Sequence, residues 1–212
     1  MFEELKSIHW DGALLVGIVT GLITVIAQRL ERRSSNKATK QEARERERRA
    51  LYSLIKEFES FAMICSRQYE KIEEAAALSD AYHNHANYDS ISKIEFKLPD
   101  TIDWHALKTE DIAIFKDFAS RFDARNEWVK SIWSIGNSDL DDAYYFESQR
   151  IVYYGNEAYK LARVTRKRIN VAETDLDDTL EWMDAWIENA KSKYAKQPSK
   201  LIPELHSMDT DD

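Results

Sequence analysis

Helix breakers are scarce in this chain, which has only five glycines and three prolines in 212 residues. Both residues are costly inside a helix and plentiful in turn-rich β folds, so their scarcity predicts long, uninterrupted helices and an all-α fold. A single cysteine, Cys65, excludes an intramolecular disulfide framework and suits a reducing compartment. It falls on an apolar helical face, as a small core residue does, and the alternative of a reactive thiol has no motif behind it. Also missing are a phosphate-binding Walker loop, a dinucleotide fingerprint, a C-x-x-C pair and an H-E-x-x-H helix. No cofactor is expected.

Charge is unevenly distributed along the chain, with one strongly basic stretch. Residues 1–11 carry one lysine against two glutamates and an aspartate. Residues 29–50 carry nine Lys/Arg against four Glu, a net +5, in a chain whose total is −8. The rest of the sequence is strongly acidic.

Immediately before the basic cluster, Gly12 to Gln28 form 17 consecutive residues without a charge. As a helix they cover about 26 Å, the short end of what spans a bilayer core. Trp10 and Arg29 flank the run as an interfacial indole and a snorkelling guanidinium would. The run is apolar all round, which disfavours a surface amphipathic helix. A signal peptide has its basic residues before the apolar stretch, whereas here Glu3, Glu4 and Asp11 precede it. The positive-inside bias then predicts an inner (plasma) membrane protein, N-terminus outside and C-terminus cytoplasmic. The competing reading is a buried helix of a soluble bundle, since the run is short and holds three glycines and two threonines.

Gly17 and Gly21 make a G-x-x-x-G pair through which two such helices could pack, giving a homo-oligomer. Arg29, Arg32, Arg33, Lys37 and Lys40 are placed to meet anionic headgroups, each worth about 1 kcal/mol near the surface. The same stretch also reads as a solvated helix laced with pairs such as Glu42–Arg46 and Glu45–Arg49. It lacks the aromatic and amide side chains of a nucleic-acid reader, so no nucleic-acid partner is expected.

Beyond it, Leu51, Ile55, Phe58, Ala62, Cys65, Tyr69, Ile72 and Ala76 alternate spacings of four and three, a heptad seam. This helix is predicted to run to about residue 85. "KIEFKLP" (93–99) reads as a strand-like crossover. Thr109 is a predicted N-cap, followed by a face of Phe115, Phe118, Phe122, Val129 and Ile132. Ser138 caps a helix burying Leu140, Tyr144, Ile151, Tyr154, Ala158, Leu161 and Ile169. Thr174 caps the last, with a seam of Leu176, Leu180, Met183, Ile187, Ala190 and Tyr194. These helices predict an antiparallel bundle of about four, over residues 51–197. The full division is an exterior segment 1–11, a transmembrane helix 12–28, a basic juxtamembrane helix 29–50, the bundle, and a disordered acidic tail 198–212.

"SDLDDA" (138–143) and "TDLDDT" (174–179) each place three aspartates in four residues, a composition used by Mg²⁺ sites. Both follow a Ser or Thr at a helix start, so capping is the simpler reading, and no metal site is expected. His83 and His85 cannot face the same way on a helix. Aromatics are dense in the last two helices, and Tyr145, Tyr153, Trp182 and Trp186 are the candidates for a partner surface, against the simpler reading of a broad core stripe.

The function expected is that of a single-pass, membrane-anchored, non-enzymatic interaction module facing the cytoplasm, with the bilayer, other copies and an unidentified protein as partners. Two alternatives are a carboxylate-dependent hydrolase using Asp139, Asp141, Asp175 and Asp177, and a sensor signalling through the Gly17/Gly21 face.

Overall fold

The computed structural model describes residues 12–82, 94–134, 140–172, 174 and 177–206. Every regular element among them is helical: α1 (Gly12–Tyr82), α2 (Thr109–Ser134), α3 (Leu140–Arg168), α4 (Asp177–Tyr194) and a single turn, α5 (Pro203–His206). The fold is all-α, as the lack of breakers predicts. The chain divides into two compact units, Met1–Arg46 and Glu47–Asp212, and α1 contributes to both.

In the first unit every described side chain, from Thr20 to Arg46, is exposed. The helix is held by its own backbone and by local contacts. Thr24 Oγ1 donates to the Thr20 carbonyl at 2.8 Å, Thr39 Oγ1 to that of Ser35 at 3.0 Å, and Arg46 pairs with Glu42 at 2.6 Å. Exposed pairs of this kind add a few tenths of a kcal/mol each, about 0.2–0.5.

The second unit is the bundle. Leu51, Ile55, Phe58, Ala62, Cys65 and Ile72 of the predicted heptad seam are buried, and Tyr69 and Ala76 pack at its edge. From α2 come Phe115, Phe118, Phe122 and Val129; from α3 Tyr144, Ile151, Tyr154 and Ala158; from α4 Met183, Ile187 and Ala190. Leu140, Leu176 and Leu180, predicted for the same seams, lie outside the described side chains.

Paired contacts give the helix directions. Glu59 meets Arg166 while Glu73 meets Ser148, so α1 and α3 are antiparallel. Asp111 meets Arg168 while Trp128 meets Phe146, so α2 and α3 are antiparallel too. Asn156 meets Asp184 while Tyr145 meets Tyr194, which makes α4 antiparallel to α3. Helix α3 therefore runs down the middle of three helices that share the opposite direction. This corrects the expectation of a simply antiparallel bundle. The cause is the 83–108 connection, which is long enough to return the chain to its starting end before α2 begins. Its described part behaves as the alternation predicts: Ile94 and Phe96 are buried, Glu95 and Lys97 exposed. Phe96 inserts against Phe58, Phe61 and Phe118 with ring centroids 5.0, 4.6 and 5.2 Å away. The segment is extended and pairs with no strand among the described residues.

Helix α3 ends in a Schellman motif. Val171 N–H donates to the Arg166 carbonyl and Asn170 N–H to that of Lys167, with Asn170 at φ 52° in the left-handed region. Asparagine tolerates that conformation better than other non-glycine residues. Arg166 then ties the turn down. Its Nη2 donates to Glu59 Oε2 at 2.7 Å and its Nη1 to the Ala172 carbonyl at 2.8 Å, while Thr174 Oγ1 donates to Glu59 at 3.0 Å. The Thr174 hydroxyl thus joins the turn to α1, and α4 is described from Asp177 onward.

Residues 198–206, expected to belong to a disordered tail, are a packed strap. Leu201, Ile202 and Leu205 are buried. The Gln149 side-chain amide grips the strap backbone twice, donating to the Lys200 carbonyl and accepting from Ile202 N–H, each at 2.8 Å. Glu204 accepts from Tyr154 at 2.7 Å and from Arg125. The two prolines that stop α4 from continuing leave three apolar residues free to fold back on the bundle. Residues 207–212, the acidic end of the expected tail, lie outside the described residues.

Two packing features of α3 yield predictions. A Cβ at Gly155 would lie 2.7 Å from Cys65 Cβ and 3.1 Å from Met183 Cε, so glycine sets how closely α3 approaches α1 and α4. Gly155→Ala should lower stability by about 1–3 kcal/mol despite its better helix propensity, measured as a shift of the denaturation midpoint. Because the clash is with a β-carbon, Cys65→Ala should not rescue it and Cys65→Gly should. Arg150 and Glu147 form an ion pair with no exposure of either side chain, and Arg150 also lies over the Phe122 ring at 4.5 Å. Arg150→Met alone strands a buried carboxylate and should cost about 3–5 kcal/mol. Adding Glu147→Leu should recover most of that loss. Equal stability of the single and double variants would contradict this reading.

Candidate functional site

Two places combine exposed or half-exposed surface with unusual composition, one in each unit. In the first unit, Leu22, Ile23, Val25 and Ile26 of α1 are 51–61% exposed. Only Thr24, Ala27 and Gln28 intervene among them and before Arg29. Single exposed aliphatics are ordinary on proteins, but four within five residues form a contiguous apolar surface. The one hydroxyl of this stretch with a described donor bond, Thr24, is satisfied by its own helix rather than by water. Gly21 is open, since a Cβ there would meet nothing within 4 Å. Gly17 lies in α1, with surroundings outside the described residues. Arg29, Arg32, Arg33, Lys37 and Lys40 are all exposed. Among the described residues no helix is long and apolar enough to cross a membrane. Of the 17-residue run, side chains are described only from Thr20 onward. That portion as a helix is about 14 Å long, half a bilayer core.

In the second unit, a row of five aromatic rings occupies the seam where α1, α3 and α4 meet. Centroid separations are 4.9 Å for Trp182–Tyr69, 5.9 Å for Tyr69–Trp186, 6.2 Å for Trp186–Tyr145 and 5.1 Å for Tyr145–Tyr194. All five are half-buried. Trp186 Nε1–H donates to the Tyr69 hydroxyl at 2.9 Å, which fixes both rings. Burial raises the Tyr69 phenol above its ordinary pKa, and neighbouring Glu73 raises it further. Burial, then Tyr194, does the same at Tyr145. Both phenols are therefore neutral at physiological pH, with electron-rich ring faces intact.

The candidate partner residues thus separate. Tyr145, Trp182 and Trp186 share this row. Tyr153 does not: it is buried, with its ring edge-on to Tyr154, and is corrected from surface to core. Seven consecutive buried residues precede it on α3, and the central position of that helix, with neighbours on three sides, is what removes Tyr153 from the surface. Tyr69 and Tyr194 join the row although sequence reading had placed them on core seams. Their position at the end of a heptad run, beside charged neighbours such as Lys193, is the signal that could have marked them.

The described starts of α3 and α4 do not meet: the helices are antiparallel, and the Asn156–Asp184 and Tyr145–Tyr194 contacts set Leu140 and Asp177 about 35 Å apart along the axis. Side chains of Asp139, Asp141, Asp175 and Asp177 lie outside the described residues, as do His83 and His85. Among the described residues no group of three or more His, Cys, Asp or Glu is placed to hold a metal ion. Cys65 is fully buried, and burial pushes its thiol far above the usual range, so it stays protonated and unreactive.

Comparison with protein-family models, with curated proteins and with solved structures gives no match for this chain.

Proposed function

We propose that the chain is a single-pass membrane protein whose helical bundle is a non-enzymatic interaction module at the cytoplasmic face. Residues 12–28 cross the bilayer, residues 1–11 lie outside, and the basic collar contacts anionic headgroups. The observation that carries this reading is the uncovered aliphatic surface of Leu22, Ile23, Val25 and Ile26, set directly against an exposed arginine cluster. Water disfavours such a surface by about 25 cal/mol per Å² of apolar area, and a lipid core removes that cost. The exposure of these residues also speaks against the alternative of a helix buried in a soluble core. Tethering confines the bundle to a thin layer and raises its effective concentration for partners there. A homo-oligomer packed through Gly17 and Gly21 belongs to the same proposal.

A charge within the run tests the span. Ile23→Asp should shift the full-length chain from the membrane to the soluble fraction, because an aspartate near the centre costs about 2.5–3.5 kcal/mol on insertion. Unchanged membrane retention would count against the proposal. Replacing both Gly17 and Gly21 with isoleucine should abolish discrete cross-linked oligomers in membranes while leaving the chain membrane-bound. Persistence of the same oligomers would remove the glycine face from the account.

A further inference from the structure

The end of the aromatic row already holds a cation. Lys193 Nζ lies 5.0 Å from the Tyr194 centroid and 5.8 Å from that of Tyr145, and the two rings are inclined at 51° to each other. Both distances are within the range over which a ring face attracts an ammonium group. The occupant sits on a flexible, exposed stem, a compact charge that water can readily reclaim. Negative charge extends from the other end of the row. Glu73 follows Tyr69 by one helical turn and helps to raise its phenol pKa, and exposed Glu70 and Glu74 flank it. The Trp186–Tyr69 hydrogen bond fixes the middle of the row, against which Tyr145 and then Tyr194 pack, so the two rings are juxtaposed before anything arrives.

We infer that the Tyr145–Tyr194 face is an ammonium-binding seat for a lysine side chain of a partner polypeptide, with Lys193 as the internal occupant that a partner displaces. The inference rests on reading the bundle as an interaction module. It specifies the chemistry of the partner: a lysine-bearing segment, drawn by the ring faces and the acidic neighbourhood of Tyr69. Displacement sets a threshold, because any incoming lysine competes with one tethered beside the site. Removing that competitor strengthens binding, whereas an ordinary surface lysine would leave it unchanged.

The test uses the full-length chain with fluorotyrosine, in maltoside micelles free of choline headgroups, observed by fluorine NMR. The probes are a short neutral peptide carrying one free lysine, its acetylated form, and choline-headgroup vesicles. The lysine peptide should shift the Tyr145 and Tyr194 resonances saturably. Lys193→Ala should tighten its binding about threefold, and Tyr194→Leu should weaken it about fivefold. Tyr194→Phe, which keeps the ring, should bind as the native chain does, separating ring loss from misfolding. Equal response to the acetylated peptide, response to the vesicles but not the lysine peptide, or unchanged affinity in Lys193→Ala would each overturn the inference. The bundle is observed directly, so a failure of the membrane reading would leave this result intact, and the reverse also holds.

Discussion

Helix α3 has a neighbour on three sides, and the rest of the bundle is arranged to satisfy what that position demands. Its apolar residues meet α1, α2 and α4, with Gly155 providing the point of closest approach. Four successive polar residues near its start have no route to water. Glu147, Ser148, Gln149 and Arg150 are all buried in succession, and each is spent on a different task. Glu147 and Arg150 neutralise each other, Ser148 reaches Glu73 on α1, and Gln149 secures the C-terminal strap. A buried donor or acceptor left unmade costs about 1–3 kcal/mol. This row therefore specifies one arrangement of the neighbouring elements in a way that apolar packing alone does not.

The parts legible in the sequence were those with a strict period. The 51–76 seam, the phenylalanine face of α2 and the alternation of Ile94 and Phe96 all follow from spacing. Directions and tethers were not legible, because they depend on pairs far apart in the chain. Arg166 lies in the last turn of α3, where a cation is stabilised in any case, yet its partner, Glu59, is on α1. Gln149 gives no sign in sequence that it will hold Lys200 and Ile202. The strap itself was hidden by composition, since prolines and a following acidic run resemble disorder until the buried Leu201, Ile202 and Leu205 are seen. Among the candidate surface aromatics, Tyr145, Trp182 and Trp186 lie in one half-buried row, while Tyr153 is buried. Six aromatic residues crowd α3, and only its environment sorts those facing inward from those at the seam.

The two units treat apolar side chains in opposite ways. In the bundle nearly every large aliphatic or aromatic residue is covered, and the few exceptions, such as Val164 and Ile114, are isolated. In the first unit the aliphatics of α1 are gathered and uncovered. A helix whose apolar residues lack a protein partner is stable in water only with another cover, and a bilayer supplies one without any additional chain. In the proposed membrane-bound arrangement, the basic residues that follow would meet anionic headgroups at the boundary between lipid and water.

Alkaline carbonate extraction of membranes carrying the full-length chain tests this most directly, since it strips proteins held by charge and leaves those that span the lipid. The account predicts that the chain remains in the pelleted membranes. Its appearance in the supernatant, folded and soluble, would contradict it.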